Sequence, residues 1–136
     1  MKNLNLIKKN KDFGMNNFFE KWNSVENIGQ IAEMVEKSFE KPVVIFKYSL
    51  SCGVTYSAMD SLEEKWNFES GDLHLYTVDV VGSRNLSMEI SKTFSIIHQS
   101  PQLLVIRDGK CVKDMSHFRI DPKLIHPFLN TLNQTN

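Results

Sequence analysis

Apolar residues recur at three- and four-residue steps through Ile28, Ile31, Val35 and Phe39, which predicts an amphipathic helix with Ser24 as its N-cap and Pro42 as its end. Val43-Val44-Ile45-Phe46 is then an unbroken β-branched and aromatic run, as expected of a central strand covered on both faces. Ser49 to Gly53 break that strand. Val54, Ala58, Met59, Leu62 and Trp66 follow at mostly helical spacing to about Phe68. Leu73, Leu75, Thr77, Val78 and Val80 read as a second strand, and Leu86, Ile90 and Phe94 at four-residue steps as another helix. Leu103-Leu104-Val105-Ile106 is a third apolar strand, Asp108-Gly109 is a strong hairpin turn signal, and Cys111 to Met115 return as a fourth strand. A closing helix is expected from Asp121-Pro122 through Leu124, Ile125, Phe128 and Leu132, with Pro127 inside it as a flaw. The class is α/β, and the strand-helix-strand units imply right-handed parallel crossovers.

A chain of 136 residues, 41% of them apolar, suits one ordinary core and is short for two. Residues 1–15, rich in Asn and Lys, are expected to form a mobile N-terminal extension to a domain spanning 16–136. Sixteen basic residues balance sixteen acidic ones, so no overall field favours nucleic acid. The basic N-terminus lacks the apolar run of a signal peptide, and no stretch approaches the roughly 20 apolar residues of a membrane span. The expectation is therefore a cytoplasmic protein without membrane or nucleic-acid partners. Two cysteines, Cys52 and Cys111, are too few and too far apart for a disulfide framework or a zinc site of paired cysteines. In a reducing compartment a cysteine is catalytic or inert more often than bridged.

Cys52 has the more interesting position. It falls beyond the carboxyl end of the Val43–Phe46 strand, where open α/β sheets bind ligands, and at the start of the next helix. Unpaired N–H groups and the positive helix end favour a thiolate there, and the thiolate is the nucleophile of disulfide exchange. The competing reading is a small buried hydrophobe. Thr55 occupies the place where a dithiol oxidoreductase carries its second cysteine, and its hydroxyl is a candidate donor to the sulfur. Gly53 leaves the sulfur open to an approaching disulfide. Cys111 reads as a structural or incidental residue. His74, His98, His117 and His126 show no metal-ligand spacing, so neither a metal nor another cofactor is expected.

The element order, with Ser100-Pro101 just before the third strand, resembles the thioredoxin and glutaredoxin core: a thioredoxin-like fold with a central mixed four-stranded sheet flanked by helices. Three stretches resemble the bacilliredoxin family of the YtxJ type, monothiol thioredoxin-fold proteins. They are Phe46-Lys47-Tyr48-Ser49 leading into Ser51-Cys52-Gly53-Val54-Thr55, then His98-Gln99-Ser100-Pro101-Gln102, then Ser116-His117-Phe118 with Ile120. The likeness covers roughly residues 22–132. Gly53 stands where the family usually has proline, and Ser51 where it has threonine. The resemblance implies that Pro101 is cis and packs beside Cys52, with Ser51, Gly53, Ser100 and Pro101 lining the substrate groove. It implies a monomer that reduces mixed disulfides between client proteins and a low-molecular-weight thiol such as bacillithiol. Cys52 would attack, and Thr55 would replace the resolving thiol. Two alternatives remain open at this point. Cys52-Gly53-Val54-Thr55 also resembles the motif of monothiol glutaredoxins that carry an iron–sulfur cluster, which visible absorption would reveal. The other is a redox-inert binding module of the same fold.

Overall fold

The computed structural model describes residues 18–129. The expected extension, residues 1–15, and Leu132 of the expected closing helix lie outside that range. Five strands form one sheet in the order β1-β3-β2-β4-β5. They are β1 (Asn23–Ser24), β2 (Val43–Tyr48), β3 (His74–Asp79), β4 (Gln102–Arg107) and β5 (Lys110–Ser116). β1 and β2 run parallel to β3, while β4 is antiparallel to both β2 and β5. β2 is central, and every one of its six residues is buried, as is every residue of β4. That is the environment an unbroken apolar run requires.

Side-chain alternation along β2 and β4 divides the core into two layers. Val44, Phe46, Tyr48, Leu103 and Val105 pack with Ala58, Met59 and Leu62 of α2 (Gly53–Lys65) and with Ile120 and Ile125 beyond β5. Val43, Ile45, Leu104 and Ile106 face the other way. They meet Ile31 and Met34 of α1 (Gly29–Lys37) and Leu86 and Ile90 of α3 (Arg84–Thr93).

The hairpin between β4 and β5 places Asp108 at φ 54° and Gly109 at φ 80°. Two successive left-handed residues are what a two-residue hairpin needs to match strand twist. Ser38 holds this turn to the end of α1: its carbonyl accepts from Asp108 N–H at 2.9 Å and its hydroxyl from Gly109 N–H at 2.8 Å.

Four expectations need correction. The sheet has five strands, not four, because Asn23–Ser24 pairs with Tyr76 and Thr77. Ser24 therefore belongs to a strand and does not cap α1. The turn before α1 is closed by Asn27 and Gln30. Gln30 N–H donates to Asn27 Oδ1 at 3.2 Å, and Gln30 Oε1 accepts from Glu26 N–H at 2.6 Å and Asn27 N–H at 3.1 Å. Helix α2 stops at Lys65, because Trp66 adopts an extended conformation and joins Phe18, Trp22 and Phe68 in an aromatic cluster. The closing α-helix is a 3-10 stretch, Pro122–Phe128, capped by Asp121 Oδ1 accepting from Lys123 N–H at 3.0 Å. Pro127 has no N–H to continue an α-helical ladder.

Candidate functional site

β2 ends at Tyr48 and α2 begins at Gly53, so the four residues between them carry the chain from the sheet into the helix. Cys52 is the N-cap residue, extended at φ −109° and ψ 122°, and is half-buried. Its own N–H donates to Ser49 O at 3.0 Å and its carbonyl accepts from Thr55 N–H at 3.0 Å. Further bonds brace the loop. Ser49 N–H donates to Thr55 Oγ1 at 3.2 Å, Tyr56 Oη–H donates to Leu50 O at 2.8 Å, and the Ser49 and Ser51 hydroxyls lie 3.0 Å apart. Thr55 is fully buried, and its hydroxyl ties the first turn of the helix to the strand end. Among the described residues no hydrogen bond joins it to the Cys52 sulfur. Cys52 thus stands at the N-terminal end of a 13-residue helix, and its side chain makes no capping hydrogen bond there.

Ser51 and Gly53, on either side of Cys52, are exposed. A Cβ built on Gly53 meets nothing within 4 Å, and the extended Cys52 before it is the conformation a following proline demands. Gly53→Pro is therefore expected to raise stability by about 0.4–1 kcal/mol by restricting the unfolded chain, since proline suits the first helical position. A thermal melt that moves downward instead would show that the loop needs glycine.

The Ser100–Pro101 peptide is cis. Register places it near the same sheet end as Cys52, because Gln102, the next residue, pairs with Lys47 of β2. Pro101 O accepts from His117 N–H at 3.1 Å, which joins this segment to the turn after β5, where His117 has φ 55°. The Ser100 hydroxyl is buried and has no hydrogen-bond partner among the described residues.

Cys111 lies at the other end of the sheet. It pairs with Ile106, which pairs with Val43 at the start of β2, whereas Cys52 follows the end of β2. The length of β2, about 17 Å at roughly 3.3 Å per residue, separates the two positions. Burial pushes the Cys111 thiol up to about 11, and its Sγ–H donates to Lys113 O at 3.4 Å. The thiol is thus protonated and unreactive near neutral pH. Iodoacetamide is expected to label Cys52 alone at neutral pH, with Cys111 labelling rising only as pH approaches 11 or on denaturation. Peptide mapping of the carboxamidomethyl groups reads this directly.

Sequence reasoning gave no role to three braces of the site: Tyr56, which it did not name, and Lys47 and Gln102, which it named only within the stretches that resemble the family. The visible signal was a lysine inside an otherwise apolar central strand. No group of three or more His, Cys, Asp or Glu side chains suited to a metal occurs among the described residues, and none of their helices is long and apolar enough to cross a membrane.

A mixed sheet with helices on both faces, a cis proline just before the antiparallel strand β4 and a cysteine at the start of α2 with no second cysteine beside it define a thioredoxin-fold protein of the one-cysteine kind. The chain belongs to the monothiol bacilliredoxin BrxC family, whose model matches residues 23–125. The fold is shared with a structure described as having a thioredoxin fold, at 24% identity and TM-score 0.68, covering 82% of this chain and 96% of that one. Thioredoxin of Malassezia sympodialis matches at 18% identity and TM-score 0.59, covering 80% and 88% of the two chains. Fasciola hepatica thioredoxin matches at 16% and 0.56, covering 79% and 96%.

Proposed function

We propose that this protein reduces mixed disulfides between client cysteines and a low-molecular-weight thiol of the bacillithiol kind, in the cytoplasm, with Cys52 as the nucleophile. The Cys52 thiolate attacks the small-thiol sulfur of the mixed disulfide. A bond forms between Cys52 and the small thiol, the old disulfide breaks, and the client leaves as a thiolate that takes a proton from water. A second molecule of small thiol then attacks the Cys52 adduct, releasing Cys52 and a disulfide of two small thiols. Ser51, Gly53, Ser100 and Pro101 line the approach, and Thr55 holds the loop that presents the sulfur.

The observation that carries this reading is the half-exposed Cys52 at a helix start with the other cysteine a strand length away. Without an adjacent thiol, an adduct on Cys52 must wait for a second molecule. The test is incubation with a bacillithiolated and, separately, a glutathionylated peptide. Release of free peptide thiol is the expected result, faster from the bacillithiolated peptide. Equal and slow release from both, no faster than from a free cysteine, would contradict the proposal.

A further inference from the structure

Lys47 is the only charged side chain in β2, and none of it reaches solvent. Its Nζ donates to Ser87 O at 3.0 Å, to Ser91 Oγ at 2.5 Å and to His98 Nδ1 at 3.1 Å. The three hydrogens of an ammonium thus meet three acceptors, none of them a carboxylate. Burial lowers the Lys47 pKa to about 8, so the ammonium still predominates at pH 7. A buried cation with no carboxylate partner among the described residues is costly, and an apolar side chain would fill this strand position at lower cost. Its bonds therefore point to a role other than core filling.

His98 opens the segment that runs through Gln99 and Ser100 to Pro101. An ammonium only donates, so His98 Nδ1 presents a lone pair and the ring hydrogen of the neutral imidazole sits on Nε2. Burial, then the charges of Lys47 and Arg84, push the His98 pKa down, which keeps the ring neutral. Gln102 braces the same segment from its other end. It is fully buried, its Nε2–H donates to Ile97 O at 3.0 Å, and its Oε1 accepts from Gln99 N–H at 3.3 Å. Lys47 and Gln102 are partners in the β2–β4 ladder. One rung of the sheet therefore anchors the whole stretch from Ile97 to Gln102.

We propose that Lys47 is a positioning residue for thiol exchange: through His98, and together with its ladder partner Gln102, it fixes the segment against which a thiolated client lies. It does so without touching Cys52. The inference rests on the exchange reading above, and it separates two properties of the site, the reactivity of the sulfur and the seating of the client.

The test uses Cys111→Ser protein and two readouts, labelling of Cys52 by iodoacetamide and thiol release from whichever thiolated peptide the parent protein turns over. Lys47→Met keeps the length and removes the donors. Peptide exchange is expected to fall about tenfold through KM, equivalent to about 1.4 kcal/mol, while the iodoacetamide rate stays within about twofold. His98→Ala, at a half-exposed ring, is expected to give a similar loss even if Lys47→Met folds poorly. The double variant should be no worse than the weaker single one, because both changes break one contact. Nitrogen NMR of the His98 ring should report the Nε2–H tautomer in the parent and a mixture in Lys47→Met. Parent-like peptide exchange in both variants, or equal loss of both readouts, would overturn the inference. A parent protein that labels readily but never takes a thiol from either peptide would instead sink the exchange reading itself.

Discussion

Cys52→Ser is expected to reduce thiol release from a mixed-disulfide peptide to the level of a protein-free control, whereas Cys111→Ser leaves it at the wild-type rate. A serine hydroxyl forms no disulfide, so the reaction loses its acceptor of the small thiol, not merely part of its rate. The fold should survive, because Cys52 caps the helix through its backbone and its side chain makes no capping bond. Coincident thermal melts for wild type and Cys52→Ser are the control. Cys111 is excluded by position and by protonation together: it pairs with Ile106 at the far end of the sheet, and burial holds its thiol up near 11. Exchange that persists in Cys52→Ser and disappears in Cys111→Ser would reverse the assignment.

Phe46→Ala is expected to have the largest effect on stability, a loss of about 3–5 kcal/mol and a fall in Tm of roughly 10–20 °C. The ring is fully buried between Phe19, stacked at 5.8 Å, and Tyr48, stacked at 6.2 Å. Its strand is held by ladders to β3 on one side and β4 on the other, so the backbone cannot move in to close the space. The cavity would open in the layer that also carries α2, and through α2 the seat of Cys52. Ile28→Ala makes the contrast. Ile28 is 63% exposed, and its truncation is expected to change stability by no more than about 0.5 kcal/mol. Chemical denaturation of the two variants side by side would expose an error in the core assignment if their midpoints moved alike.

The parts of the fold legible in the sequence are those where one physical requirement dominates. The run Val43–Phe46 was expected as a doubly covered strand and Leu103–Ile106 as an apolar one, and they lie in the two fully buried strands. Asp108-Gly109 had to be a tight hairpin because little else suits two successive left-handed residues. Local pattern failed where tertiary pairing decides. Asn23–Ser24 is too short to carry any periodicity and is a strand only because β3 offers an edge. Ile28 and Phe39 fit a helical stripe but project into solvent at its ends, while Met34 supplies the contact they were assigned. Asp121-Pro122 correctly marked a start, yet Pro127 turned the segment into a 3-10 stretch.

At the site, the position of Cys52 at a strand-to-helix junction followed from the apolar pattern alone. Its isolation from Cys111 did not, since that depends on the β2–β4–β5 register, which no local pattern encodes. Thr55 was picked out for its spacing from the cysteine, but the structure engages its hydroxyl with Ser49 N–H. Lys47 was read only as part of the stretch leading to Cys52, since the sequence does not show what its ammonium meets. Only its three acceptors, contributed by α3 and by the segment before Pro101, make sense of it.

Mass spectrometry of the intact protein after one equivalent of bacillithiolated peptide addresses the single-thiol mechanism most directly. A persistent adduct of one small thiol, mapped to Cys52, with Cys111 still free is the outcome required of a lone nucleophile that waits for a second molecule. Loss of two hydrogens with no adduct retained would mean that the two cysteines of this chain reach each other, and would contradict it.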